Sequence, residues 1–474
     1  MNLFKRMVIL LGLLLTLAVP VLAQTINSAD DCTILKEIII FGRHSIRAST
    51  SDPTSLAPYA VDPYPDFTDF TGVLPPGYLT PRGQQAAGLL GSYFHDYLLQ
   101  EGLLTGDAQT DLSRAYFRAN SIQRSNITAA KFGAGLIPGA TTIPVHSYSI
   151  ADGNTPAVPD PVFDPILALP TVVTVDTARA VAEVQGIFSS GTAIASAYSG
   201  ELSLIRSALY PPGTQPIPWA PRGSIDPTSQ PITLTASTST LYTGGVINIG
   251  GLNLTNSAID PFVMQYADNF SLQDVAWGRF SLDALSQHTR IFNLIFNIEM
   301  LSPYLNQVQS SNAASHVLRT LEQAVLGEHL ALPGIFGNSK SRVHVIISSD
   351  GYVIGLAGLL HLHWMLNGYQ QDYCAPGGAL VFELRQVAKT KEYLVRVFYT
   401  AQTFDQLRNL TPRTLETPPA SMQLTVPGGS KSSTNLDVKF STFKNLLMEA
   451  MDQKYVQPFC EEDPPGVLTG VPLE

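Results

Sequence analysis

Residues Leu35 to Phe41 (LKEIIIF) form a short β-branched run that ends at Gly42, the pattern of a buried strand running into a loop. That loop holds Arg43, His44 and Arg47. At Leu79-Thr80-Pro81-Arg82-Gly83, Thr80 can cap and Pro81 can open a helix, and apolar residues then recur at helical spacing through Leu98. A second strand-like run, Ala115 to Ala119, leads through Ser121-Ile122-Gln123-Arg124 to a helix expected from Asn126 to Ala134. Strand, loop and helix thus alternate twice, which predicts a mostly parallel sheet flanked by helices, with ligands beyond the carboxyl ends of the strands.

From residue 146 to 326 the pattern becomes mostly helical, over Asp176 to Ala208 and Leu282 to Leu326. Between these lies a Pro/Gly/Ser/Thr-rich stretch from Pro211 to Gly251, read as loop with a short hairpin near Tyr242 to Ile249. Alternation resumes at Arg342 to Ser348 (RVHVIIS), where Ser349-Asp350-Gly351 precedes a helix expected through Leu366. Antiparallel strands are expected at Ala379 to Arg385 and Tyr393 to Tyr399, and a last helix from Ser441 to Gln453. No internal repeat interrupts this order. The predicted fold class is therefore α/β, with a core of residues 24–145 and 327–474 and a mostly α-helical insertion of residues 146–326.

The length of 474 residues fits two packed domains or one domain with a large insertion. Lys5 and Arg6, the apolar stretch Met7 to Val19 and the small-residue site Val21-Leu22-Ala23 read as a signal peptide over residues 1–23. About a dozen apolar residues fall short of the roughly 20 that a spanning helix needs. The mature chain is expected to begin at Gln24, to be periplasmic or secreted, and to have no membrane contact after cleavage. Cys32, Cys374 and Cys460 permit one disulfide, with three pairings open. No Cys/His cluster has zinc spacing, so no metal is expected. A net charge of −10 without a basic patch argues against nucleic acid as partner. The sequence sets no oligomeric state.

Arg43-His44-Ser45-Ile46-Arg47 puts an imidazole between two guanidiniums at a strand's end. Phosphoryl transfer needs this combination: a neutral imidazole is a competent nucleophile, and arginines are fixed, charged, bidentate donors to phosphoryl oxygens. The bland alternative is an exposed loop histidine beside unrelated surface arginines. Arg124 follows the second strand and would reach the same sheet edge; its alternative is a helix-start surface residue. Asp350, at the end of a later strand, can protonate a leaving alkoxide, cap the following helix, or both. Among the other histidines, His344 reads as core, His361 and His363 as helix residues on different faces, and His288 as a packed helix position.

In these residues the chain resembles the histidine acid phosphatases, and within them the bacterial periplasmic phytase and glucose-1-phosphatase group, over about residues 34–460. The family's R-H-G-x-R-x-P-T stands here as Arg43 to Thr50 (RHSIRAST), its L-T-x-x-G as Leu79 to Gly83, and its third phosphate-binding arginine as Arg124 in SIQRSNITAAKFGAGLIPG. YADNFSLQDVAWGRF, PGGALVFEL and QTFDQLR resemble further pieces of the group. The resemblance implies a phosphoglycerate-mutase-like core and a two-step reaction without cofactor. In that reaction His44 attacks phosphorus, Arg43, Arg47 and Arg124 clamp the phosphoryl group, and Asp350 donates the proton. The implied substrate is a small phosphate monoester, a sugar or inositol phosphate, with Thr50 as a substrate contact.

The departures from the family bear on activity. Ser349 stands where the family has a histidine beside its catalytic aspartate, so a charged donor becomes a hydroxyl. Loss of such a donor costs about 3 kcal/mol, roughly a hundredfold in rate. Ser45 and Ser49 replace a glycine and a proline, and Ser51 stands where phytases often carry a lysine, which favours a smaller monoester over inositol hexakisphosphate. Two alternatives follow from Ser349: a catalytically impaired protein that binds phosphate esters, or a phosphotransferase that prefers an alcohol to water.

Overall fold

The computed structural model describes residues 32–150, 158–237, 246–329, 331–458 and 466–468. The expected signal peptide and Cys460 lie outside the described residues. Cys32 is exposed and Cys374 buried, and the two are not bridged to each other.

Among the described residues, nine strands form the main sheet: β1 (Thr33–Arg43), β2 (Ala115–Ala119), β3 (Val145–His146), β4 (Val343–Ser348), β5 (Ala379–Val387), β6 (Tyr393–Ala401), β7 (Ala420–Gln423), β8 (Val438–Lys439) and β9 (Val467–Leu468). Their order is β7-β6-β5-β1-β4-β2-β3-β9, with β8 paired to β6 off this path. The centre is parallel: β1 runs beside β4, β4 beside β2, and β2 beside β3. The flanks are antiparallel, β5 against β1 and β6 against β5 on one side and β9 against β3 on the other.

Strand β1 explains why this centre forms. Ile38, Ile39, Ile40 and Phe41 are all buried, as expected for a strand covered on both faces. Alternate side chains serve opposite layers. Ile39 and Phe41 pack with Ile346, Phe382 and Val353, whereas Ile38 and Ile40 pack with Leu90, Phe94 and Phe132.

The helices that matter here are α1 (Pro81–Gln100), α2 (Gln123–Leu136), α3 (Thr177–Phe188), α4 (Gly191–Ala197), α5 (Ser199–Leu209), α6 (Gly251–Ala267), α7 (Thr289–Glu299), α8 (Pro303–Leu326), α9 (Asp350–Leu359) and α10 (Phe440–Ala450). Thr80 caps α1 by accepting the Gly83 N–H at 3.0 Å, and Pro81 opens the helix. The helices α3 to α8 share an apolar cluster that includes Ile205, Ile259, Phe262, Leu294 and Leu305. The architecture is thus α/β with a helical insertion. Among the described residues no helix is long and apolar enough to cross a membrane.

Several boundaries differ from the sequence reading. The pattern over Asp176 to Ala208 breaks into three helices, since Ser189 takes a φ of 63° and the chain turns again at Tyr198. The expected hairpin pairs Thr235–Ala236 with Ile247–Asn248, and the residues between 238 and 245 lie outside the described ones. The helix after Asp350 stops at Leu359 instead of Leu366, because His361 adopts a φ of 50°. His361 and His363 therefore sit in a loop, where His363 Nδ1 lies 2.8 Å from Asp372 Oδ2. The last helix ends at Ala450, since Met451 is extended. Helix α6 escaped the sequence reading: it is buried nearly all round and carries Pro261 inside, so it shows no amphipathic stripe.

Candidate active site

The parallel pairing of β1 with β4 sets Arg43 opposite Ser348, so both strands end at one edge. Beyond that edge the loop is tied down by backbone. His44 donates its N–H to the Ser348 carbonyl at 2.8 Å, and its own carbonyl accepts the Gly377 N–H at 3.0 Å. Farther along, the Thr80 N–H bonds the Ile46 carbonyl at 3.0 Å and the Ala48 N–H the Tyr78 carbonyl at 2.7 Å. Gly83 is required by this packing, since a Cβ there would fall 2.1 Å from the Ile46 carbonyl oxygen.

His44 is 2% exposed and its Nδ1 lies 2.8 Å from the Ser45 carbonyl oxygen. A carbonyl only accepts, so Nδ1 carries the proton and Nε2 keeps its lone pair. Burial holds the His44 pKa well below the usual histidine range, and Arg124, Arg43 and Arg47 push it the same way. The ring is therefore neutral, set among cations.

Arg43 is fixed by the Cys374 carbonyl, which its Nη1 meets at 2.6 Å, and its Nη2 lies 3.0 Å from Asp350 Oδ2. Arg47 forms a two-pronged pair with Asp260 at 2.9 and 2.7 Å. Arg124 lies in the first turn of α2, which begins three residues before the expected Asn126, and its Nη1 is 3.5 Å from the Gly77 carbonyl. The Nε–H donors of Arg43 and Arg47 are buried and meet no acceptor, as in a site shaped for an anion. Ser349 occupies the cap position of α9 without a side-chain capping bond, and Asp350 is the first helical residue.

These groups line one cavity of about 410 Å³. The structure brings together every residue the sequence singled out: His44, Asp350, Arg43, Arg47, Arg124, Thr50 and Ser349. Thr50 spends its N–H and hydroxyl on Asp260, at 2.9 and 3.1 Å. The opposite wall comes from α6 and α7 and supplies residues the sequence reading missed, above all Asp260 and Glu299. Burial pushes the Asp260 carboxyl up, but Arg47 and Thr50 outweigh it and hold the group below its usual range. Its signal was slight, a lone aspartate before a proline in an apolar run. The remaining histidines stay out of the cavity. His288 is fully buried among Phe262, Phe280 and Phe292, and burial lowers its pKa to about 4. His344 is buried within β4, 3.6 Å from Glu37.

No protein-family model matches the chain. Curated relatives do: Phytase AppA of Escherichia coli (strain K12) is 25% identical over 445 residues, spanning 92% of this chain and 96% of the relative. A glucose-1-phosphatase of Providencia rettgeri is 24% identical over 435 residues, 92% and 95% of the two chains. Among solved structures, a Hafnia alvei phytase in complex with tartrate superposes with a TM-score of 0.75 at 24% identity, covering 91% of this chain and all of the other. The phytase from Citrobacter braakii gives 0.75 at 21% identity, over 90% of this chain and all of the other. Fold and relatives together define a phosphomonoesterase built as an α/β sheet facing a helical insertion. The similarity, spread over about nine-tenths of the chain, is to phytases and glucose-1-phosphatases, and it supports the resemblance to the histidine acid phosphatases.

Proposed function

We propose that the chain is an exported acid-type phosphomonoesterase that works through a phosphohistidine. Its substrate is a small organic monoester such as a sugar or inositol phosphate. The phosphoryl group enters between Arg43, Arg47 and Arg124, whose guanidiniums take its oxygens. His44 Nε2 attacks phosphorus, the ester P–O bond breaks, and Asp350 gives its proton to the departing alkoxide. Water then attacks the phosphohistidine, Asp350 takes a proton from it, and phosphate leaves. No cofactor enters either step.

One observation carries this reading: the Nδ1–H of His44 is committed to the Ser45 carbonyl, which leaves a lone pair on Nε2 in a cavity shared with three guanidiniums. Asp350 in the same cavity favours turnover over mere binding of esters. The N-terminal stretch supports export, and the boundaries at residues 146 and 326 follow the change in texture between core and insertion.

Rapid acid-free quenching with a radiolabelled monoester tests the mechanism. Label is expected on His44 of the wild type, stable to base and lost in acid, and His44→Ala should lower phosphate release by about 10⁴-fold or more. An unlabelled protein that still turns over would exclude the phosphohistidine.

A further inference from the structure

Beyond the phosphate clamp, the cavity is electrostatically unlike a polyanion site. Among the described residues, the three guanidiniums are its only arginines and no lysine lines it, and Arg47 is already paired with Asp260. Glu299, the last residue of α7, stands on the wall that the clamp does not supply. Ile295 and Phe296, one turn earlier on the same helix, line that wall with it. The helix end is held in place, because the Glu299 backbone carbonyl accepts the Gln309 Nε2–H at 2.8 Å. The side-chain carboxyl has no hydrogen-bond or ion-pair partner among the described residues. A second, separate group on α6 points the same way: Asn256 lines the cavity, and its side-chain oxygen is buried without a partner.

We infer that Glu299 is a specificity-determining residue, one that admits phosphate esters of uncharged, hydroxyl-bearing alcohols and turns away esters whose leaving alcohol carries a second phosphate. Substrate hydroxyls can donate to Glu299 and Asn256, whereas a second phosphate would bring like charge against Glu299, with no further cation among the described residues lining the cavity to receive it. The inference rests on the proposed reaction at His44 and deepens it.

The discrimination is proton-linked. Burial pushes the Glu299 carboxyl well above its usual range, so its charged fraction, and with it the repulsion, grows as pH rises from acid toward neutrality. The titratable and charged groups sharing the cavity are Arg43, His44, Arg47, Arg124, Asp350 and Tyr373 from the sheet side and Asp260 from α6. Replacing Glu299 by glutamine leaves all of these in place.

The test compares kcat/KM for fructose 6-phosphate and fructose 1,6-bisphosphate at pH 5 and pH 7. The wild type should prefer the monophosphate by at least about tenfold at pH 7 and by less at pH 5. Glu299→Gln should narrow the preference at pH 7 about tenfold, through KM for the bisphosphate, and should remove the part of the pH trend that substrate ionisation does not cause. Glu299→Asp should restore it. Equal efficiency of the wild type on both esters, or a ratio unmoved in Glu299→Gln, would overturn the inference. Calorimetric binding of the same two esters to His44→Ala needs neither turnover nor a Glu299 variant, and equal affinity there at pH 7 would also overturn it. A wild type that binds the two esters unequally yet releases phosphate from neither would instead overturn the reaction at His44 and leave the selectivity standing.

Discussion

The two walls of the cavity are built on different principles. On the sheet side, the positions of Arg43, His44 and Asp350 follow from strand register, since β1 and β4 end together and backbone bonds hold the loop beyond them. On the helical side, Asn253, Asn256, Phe292 and Glu299 project from α6 and α7 with few polar ties of their own. Fixed donors that need no reorganisation are what phosphoryl transfer demands. A wall of helix side chains can change its residues without disturbing that geometry. On the proposed reading, chemistry falls to the sheet edge and selection to the helices, and Asp260 joins the halves through Arg47 and Thr50.

The largest effect should come from the sheet side. Asp350→Asn should lower kcat for an alkyl phosphate by about 10²- to 10³-fold, because the departing alkoxide then lacks a proton donor. With p-nitrophenyl phosphate, whose leaving group needs no proton, the loss should be far smaller. Equal losses on both substrates would mean that Asp350 acts only by holding Arg43, 3.0 Å away.

Next comes the bond between the walls. Asp260→Ala leaves a buried guanidinium without its partner and lets Arg47 leave its place. A buried pair broken on one side costs about 3 kcal/mol where water is excluded, and access through the cavity reduces that here. The expectation is a fall of several degrees in Tm and about a ten- to hundredfold fall in kcat/KM, with Asp260→Glu recovering part of both. A variant that unfolds at lower temperature yet keeps full activity would show the two walls to be mechanically joined but chemically independent.

The contrast also separates what the sequence made legible from what it did not. Strand β1 could be read because burial on both faces writes a continuous apolar run, and α1 because Thr80, Pro81 and Gly83 mark its start. His44, Arg43 and Arg47 lie within five residues of one another, so a local motif contains them. Arg124 and Asp350 each follow a recognisable strand and inherit their place from the sheet. Asp260 has no such marker: it meets Arg47 across 213 residues of sequence, from a helix whose buried circumference and internal proline hide its periodicity. Glu299 likewise ends an amphipathic helix as one more charged residue, and only the packing of α7 turns it toward His44's cavity.

A smaller change is expected from restoring a donor the sheet side lacks. Ser349→His would put an imidazole at the cap position of α9, where the present hydroxyl makes no capping bond. If the sheet edge holds its geometry, kcat should rise about tenfold, part of what a transition-state donor contributes. A loss of activity with unchanged Tm would mean that the cavity has been reshaped around serine.

The smallest effect is on the pKa of His44, and the two walls should move it in opposite directions. An ordinary histidine titrates near 6.5 and would be protonated and useless as a nucleophile at pH 5. His44 is held well below that value, first by burial and then by Arg124, Arg43 and Arg47. A lowered pKa means that the neutral form persists as pH falls through 6.5, so the imidazole ¹⁵N resonances of His44 should change less between pH 7 and pH 5 than those of an ordinary histidine. Arg124→Ala removes the foremost of the three charges and should raise the pKa, though only partway, because burial remains. Asp260→Ala uncovers the charge of Arg47 and should lower it further. A His44 that titrates near 6.5 in the wild type would mean that water reaches the ring freely, and both walls would then be looser than their packing implies.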